Sequence, residues 1–186
     1  SYEDIGLMSN LPNMHVIVPA DYAETYAAIK YAAEHDGPYY IRVARASLPD
    51  IFSDGIEISG KAKKINDGKD LTIITNGETL AECIDAANEL KKQGVSAELL
   101  HMPFVKPFDK ESVIESAKKT GLVFTVENHS IKGGLGSAVC EALSENCPTK
   151  VVRLGTKDCF GMSGTSEELM SYFRLDSKGI IRQIID

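Results

Sequence analysis

At 186 residues, with 43% hydrophobic and 25% charged side chains, the chain has the composition of one large globular domain or two small ones, which excludes wholesale disorder and fibrous architectures. Twenty Lys and Arg against 27 Asp and Glu leave a formal charge of −7. That charge repels nucleic-acid phosphates and anionic lipid, so neither nucleic acid nor a membrane is an expected partner. The longest apolar runs, such as Leu71 to Thr75 and Val95 to Leu100, are far too short to cross a bilayer, and no signal-peptide pattern is visible. Cys83, Cys140, Cys147 and Cys159 lack CxxC spacing and paired histidines, so they read as ordinary thiols in a reducing cytoplasm, with no metal site.

The chain starts Ser1-Tyr2-Glu3-Asp4, without an initiator Met, and is expected to be a piece of a larger protein. Asp4, three residues after Ser1, opens a short helix carrying Ile5, Leu7 and Met8 that Asn10 and Pro12 end. Met14 to Val18 predicts a strand, Tyr22 to Glu34 an amphipathic helix capped by Asp21, and Pro38 to Ala44 a second strand. Together they form a βαβ unit with parallel strands. Two strands leave open edges, so either the region that follows or residues preceding Ser1 must complete that sheet.

Arg45 to Glu57 is polar and turn-rich and marks a boundary, giving segments 1–45, 46–57 (a linker) and 58–186. Beyond it strands are predicted at Lys61 to Ile65, Leu71 to Thr75, Val95 to His101, Leu122 to Val126 and Lys150 to Leu154. Helices are predicted at Glu78 to Gln93, Asp109 to Lys119, Leu135 to Glu145, Ser166 to Phe173 and Ser177 to Ile185. The alternation predicts an α/β fold: a partial βαβ unit, then a three-layer αβα domain whose sheet is mostly parallel. A hairpin through Asn66-Asp67-Gly68 into Leu71 would supply one antiparallel edge strand.

The densest special segment runs from Thr125 to Val139 and holds Glu127, His129 and the Gly133-Gly134-Leu135-Gly136 loop. It leads from a strand into a helix whose first amides could hold an anion, but it lacks the third glycine and the distal acid of a dinucleotide fingerprint. Tight packing, with close approach to the sheet or to a second subunit, is the reading for Gly133, Gly134 and Gly136, and a hydrogen bond across an interface is the reading for His129, which makes these four the expected subunit contact. Glu127 and Asp158 stand at no interpretable catalytic spacing. Arg42 and Arg45 lie at the carboxyl end of the second strand, where open α/β sheets bind ligands. There they would suit a phosphate or carboxylate, or else be solvated or paired with Asp50 or Asp54.

Several segments occur together in one order: Glu3-Asp4-Ile5-Gly6-Leu7-Met8, Leu11-Pro12-Asn13-Met14, Val18-Pro19-Ala20-Asp21 and Asp36-Gly37-Pro38-Tyr39-Tyr40-Ile41-Arg42, then Val105-Lys106-Pro107-Phe108-Asp109 and Glu127 to Val139. In these the chain resembles the C-terminal part of a transketolase, most closely the short-subunit form of the split enzyme. Asp158-Cys159-Phe160-Gly161-Met162-Ser163-Gly164 is similar to the transketolase form, whereas the related deoxyxylulose-phosphate synthases tend to carry a histidine where Ser163 stands. Asn128 departs from relatives that commonly show a second glutamate there.

The resemblance implies that residues 1–45 are the end of a pyrimidine-binding domain and 58–186 a C-terminal domain. It implies thiamine diphosphate and Mg in the complete enzyme, none bound to this piece, and an N-terminal subunit or segment as partner in a homo- or hetero-oligomer. It implies sugar phosphates as substrates, with transfer of a two-carbon ketol unit from ketose phosphate to aldose phosphate. Arg45 matches the position with which the family binds the sugar's phosphate; no catalytic, cofactor or metal residue carries over. A non-catalytic assembly or regulatory module and the synthase reading are the alternatives.

Overall fold

The computed structural model describes residues 1–186. Helix α1 (Asp4–Ser9), strand β1 (His15–Ile17), helix α2 (Tyr22–Glu34) and strand β2 (Tyr39–Ile41) form the first unit. β1 and β2 are parallel, as the βαβ pattern requires. The α2 start follows from local chemistry: the Asp21 carboxylate accepts the Glu24 N–H at 2.8 Å, satisfying one of the free amides of the first turn. Its other oxygen accepts the Ile51 and Phe52 N–H groups at 2.8 and 2.6 Å, so the same residue fastens the connector that follows β2.

The second unit contains β3 (Lys63–Asn66), β4 (Leu71–Thr75), α3 (Thr79–Lys92), β5 (Ala97–His101), β6 (Phe104–Lys106) and α4 (Lys110–Thr120). It continues with β7 (Leu122–Ser130), α5 (Leu135–Asn146), β8 (Lys150–Thr156), α6 (Ser166–Tyr172) and α7 (Ser177–Ile185). Its five-stranded sheet has the order β3-β5-β4-β7-β8, parallel except at β3. Alternate residues of the central strands feed opposite cores. Ile73, Phe124 and Val126 pack with Leu80, Leu90, Leu175 and Ile180 on one face, and Ile74, Val123 and Leu100 pack with Val113, Leu135 and Val139 on the other. This is the predicted three-layer αβα arrangement.

Three expectations are corrected. The antiparallel edge strand β3 pairs with β5, not in a hairpin with β4. Asn66 reaches the Ala97 carbonyl through Nδ2 at 2.6 Å, and a Cβ on Gly68 would run into the Ala97 and Glu98 backbone. The turn therefore lies across the start of β5 instead of folding β3 back on β4. Second, Glu127 to Ser130 continues β7 as strand instead of opening a loop, with a register shift between Val126 and Ser130.

Third, the short β6, which the sequence pattern does not mark as a strand, pairs antiparallel with β1, giving a three-stranded sheet in the order β2-β1-β6. The later part of the chain thus closes one edge of the first sheet, and the outer edge of β2 stays unpaired. The contact is apolar beneath: Val105 packs with Ile5, Val16 and Val18, and Phe104 with Ile17 and Ala28. No helix is long and apolar enough to cross a membrane.

Candidate functional site

The carboxyl ends of β2, β4 and β7 converge where the two units meet. Arg42 stands just past β2 at that junction. Its Nε donates to Asp4 Oδ2 at 3.0 Å, its guanidinium lies 3.9 Å from Glu78 Oε1, and it also donates to the Ser1 carbonyl at 3.3 Å. The Tyr40 hydroxyl donates to the same Asp4 oxygen at 2.6 Å, and burial, followed by this bond, pushes the phenol up to about 12. Asn128 Nδ2, past the regular part of β7, donates to Glu78 at 2.6 Å. Arg42 is therefore a tie between α1, β2 and the loop after β4, its guanidinium already engaged by Asp4, the Ser1 carbonyl and the Glu78 charge.

Arg45 is placed differently. It stands exposed beyond β2, and neither Asp50 nor Asp54 pairs with it, so of the alternatives open in sequence the structure leaves a free guanidinium. Its neighbours Val43, Ala44, Ala46 and Ser47 line a cleft of about 390 Å³ against Tyr22 and Thr25 of α2. An exposed arginine loses little solvation on meeting an anion and retains its full bidentate fork.

The glycine loop is built around Glu127, a side chain with no solvent exposure. Its Oε2 accepts the Leu135 N–H at 2.7 Å and its Oε1 the Gly136 N–H at 2.8 Å, so a carboxylate from β7 caps the first turn of α5. Burial outweighs those two donors and lifts the carboxyl to about 7. Gly134 has no room for a Cβ because Glu127 and the His129 ring occupy the space, and one on Gly136 would sit 2.7 Å from Thr125 Oγ1.

His129 is also fully buried, with Nδ1 2.7 Å from the Ser130 carbonyl and Nε2 3.4 Å from the Gly6 N–H. Of the four residues expected at a subunit contact, His129, Gly134 and Gly136 are buried inside the chain and only Gly133 remains exposed. The interface that His129 bridges here is the one with α1.

Sequence reasoning missed Glu127 as a cap and the pairing of Glu24 with His101. The available signal for the first was an acid at a strand end directly before a glycine-rich helix start. No signal marked the second, since the two residues stand far apart in the chain. Nor do the side chains form a group of three or more His, Cys, Asp or Glu able to hold a metal ion. This chain's own residues therefore supply no carboxylate cluster that fits a divalent metal.

Residues 60–180 match the family described as transketolase, C-terminal domain, and residues 1–50 match transketolase, pyrimidine binding domain. A 6-deoxy-6-sulfo-D-fructose transketolase subunit of Clostridium sp. (strain MSTE9) is 46% identical over 98% of this chain and 57% of its own length. A putative transketolase C-terminal section of Methanocaldococcus jannaschii is 42% identical over 99% of this chain and 58% of its own. A 1-deoxy-D-xylulose-5-phosphate synthase of Syntrophotalea carbinolica is 35% identical over 97% of this chain and 29% of its own. The solved structure of a split gene transketolase, described as an inactive beta4 tetramer, superposes with a TM-score of 0.95 at 43% identity, covering 99% of this chain and 61% of that one. This chain spans less than two thirds of the length of each of these relatives.

Proposed function

The chain belongs to the transketolase family, and we propose that it supplies the sugar-phosphate end of a ketol-transferring enzyme completed by an N-terminal subunit or segment. Residues 1–45 would end a pyrimidine-binding domain, 46–57 would be its linker, and 58–186 the C-terminal domain. The observation that carries the reading is the contrast between the two arginines past β2: Arg42 is consumed by Asp4 and Glu78, while Arg45 is unpaired beside an open cleft. Arg45 binds and orients the anionic head of the sugar through paired hydrogen bonds. Thiamine diphosphate, held with its metal on the companion part, would stabilise the carbanion of the transferred two-carbon unit. The relative described as a tetramer supports assembly with further copies or with that companion.

The test is kinetic. The complete protein, mixed with its companion chain, thiamine diphosphate and Mg, should transfer a ketol unit from a ketose phosphate to an aldose phosphate. Arg45→Ala should raise KM for the phosphorylated acceptor roughly tenfold or more, as loss of a charge-assisted pair predicts. An equal change for an unphosphorylated sugar would remove the phosphate role. The synthase reading is favoured by the 35% identical relative. Release of CO₂ from pyruvate in the same mixture would select it over ketol transfer. Absence of both reactions would leave the non-catalytic module.

A further inference from the structure

Arg45 lies in a stretch whose backbone the fold fastens only at its two ends. Upstream, the Arg42 N–H donates to the Ile17 carbonyl at 2.8 Å, one step past the end of β2. Downstream, Asp21 Oδ2 accepts the N–H groups of Ile51 at 2.8 Å and Phe52 at 2.6 Å. Residues 43–50 make no backbone–backbone hydrogen bond of their own. A loop of this kind wanders unless both ends are fixed, and a ligand it binds must then supply the free energy of ordering it.

The downstream end has two attachments of different character. The Ile51 and Phe52 side chains pack against the core that contains Leu80 and Leu90. Apolar packing is non-directional and tolerates small slips, whereas two N–H groups on one buried oxygen fix the backbone in place. Asp21 is 2% exposed and its Oδ1 accepts the Glu24 N–H, so one carboxylate joins the first turn of α2 to the far end of the Arg45 stretch. Both walls of the cleft beside Arg45 are tied to it: Tyr22 and Thr25 follow it on α2, and Ser47, Leu48 and Asp50 lead into Ile51.

We propose that Asp21 is a positioning residue for Arg45: its carboxylate sets the 43–50 loop against the start of α2 and so fixes where the guanidinium meets the anionic head of the sugar. It acts through Arg45 and not on the substrate. The inference rests on the phosphate-binding reading of Arg45. Without the clamp the loop visits positions in which the arginine fork misses its target, and apparent affinity falls with the fraction of time the loop is in place.

Two substitutions separate the clamp from the helix cap. In Asp21→Ser the single oxygen serves the Glu24 N–H and leaves the Ile51 and Phe52 N–H groups without an acceptor. In Asp21→Asn the cap is kept, because asparagine caps as well as aspartate, and an NH₂ faces the two N–H groups. In the complete enzyme with its companion chain, thiamine diphosphate and Mg, either substitution should raise KM for the phosphorylated acceptor at least about threefold. The kcat, and KM for an unphosphorylated acceptor, should stay within about twofold. In the Arg45→Ala background the same substitutions should change KM by less than about twofold, since the residue they displace is gone. Amide hydrogen exchange at Ile51 and Phe52 should quicken about fivefold or more in both variants. Unchanged exchange, an unchanged KM, an equal rise in KM with and without Arg45, or equal effects on the two acceptors would each overturn the positioning role while leaving the phosphate role of Arg45 standing. If Arg45→Ala itself left KM for the phosphorylated acceptor unchanged, the phosphate reading would fall and this inference with it.

Discussion

Glu24 on α2 and His101 on β5 meet across the junction of the two units, with Nε2 2.7 Å from Oε2 and 3.0 Å from Oε1, and both side chains are closed off from solvent. The same Oε2 accepts the Ala20 N–H at 2.7 Å, so one carboxylate satisfies the loop before α2 and a strand of the second sheet. A buried polar contact of this kind makes the relative placement of the two units specific, because the His101 ring has no other hydrogen-bond partner.

Removing one member should therefore cost more than the pair contributes. Glu24→Ala leaves His101 and the Ala20 amide without their acceptor and should lower unfolding free energy by about 3 kcal/mol, while Glu24→Gln, which keeps an oxygen there, should lose less. Urea unfolding midpoints at constant m-value decide it. Equal midpoints for all three chains would refute the coupling.

The two arginines past β2 should separate in a stability measurement. Arg42→Ala strands Asp4 and loosens Glu78, and a loss of about 1–3 kcal/mol is expected from unpaired, half-buried carboxylates. Arg45→Ala, at an exposed unpaired position, should stay within about 0.5 kcal/mol. Comparable losses would show that Arg45 has a structural role.

Gly134→Ala has no space to enter, since the new methyl meets the Glu127 carboxylate and the His129 ring, both buried and held in place by hydrogen bonds. Overpacking at such a site costs about 1–3 kcal/mol, and disturbance of the α5 cap adds to it. A melting temperature equal to that of the unsubstituted chain would contradict the packing.

The pH dependence contributed by Glu127 has the opposite sign to that of a salt-bridged carboxylate. Its folded value is raised from 4.5 to about 7, so between those values the folded chain holds a proton that the unfolded chain has released. The stability this group confers is complete below 4.5 and is lost as pH rises through about 7, at a limiting slope of about 1.4 kcal/mol per pH unit. Glu127→Gln should remove that slope, so its stability relative to the unsubstituted chain should improve from pH 5 to pH 8. Chemical unfolding of both chains across that range measures it, and parallel curves would refute the raised value.

Much of the architecture was legible in the residues themselves. Period-two and helical spacings in 58–186 marked the buried faces of the strands and helices, and Asp21 marked the start of α2, because these are properties of neighbours along the chain. The resemblance to transketolases likewise rested on short local runs, and the fold agrees with it. What the spacing left open was which strands are neighbours. The partner of β3 is decided by Asn66 and Gly68 meeting the start of β5, and the third strand of the first sheet arrives from Phe104–Lys106, which is too short to announce itself.

The site divides in the same way. That arginines stand past β2 could be read from the sequence, but only the packed structure distinguishes Arg42, held by Asp4 and Glu78, from the free Arg45. The state of Glu127 is decided wholly by the fold. A carboxylate's proton affinity is set by the water it loses and the donors it gains, and both come from residues that the chain brings to it only on folding.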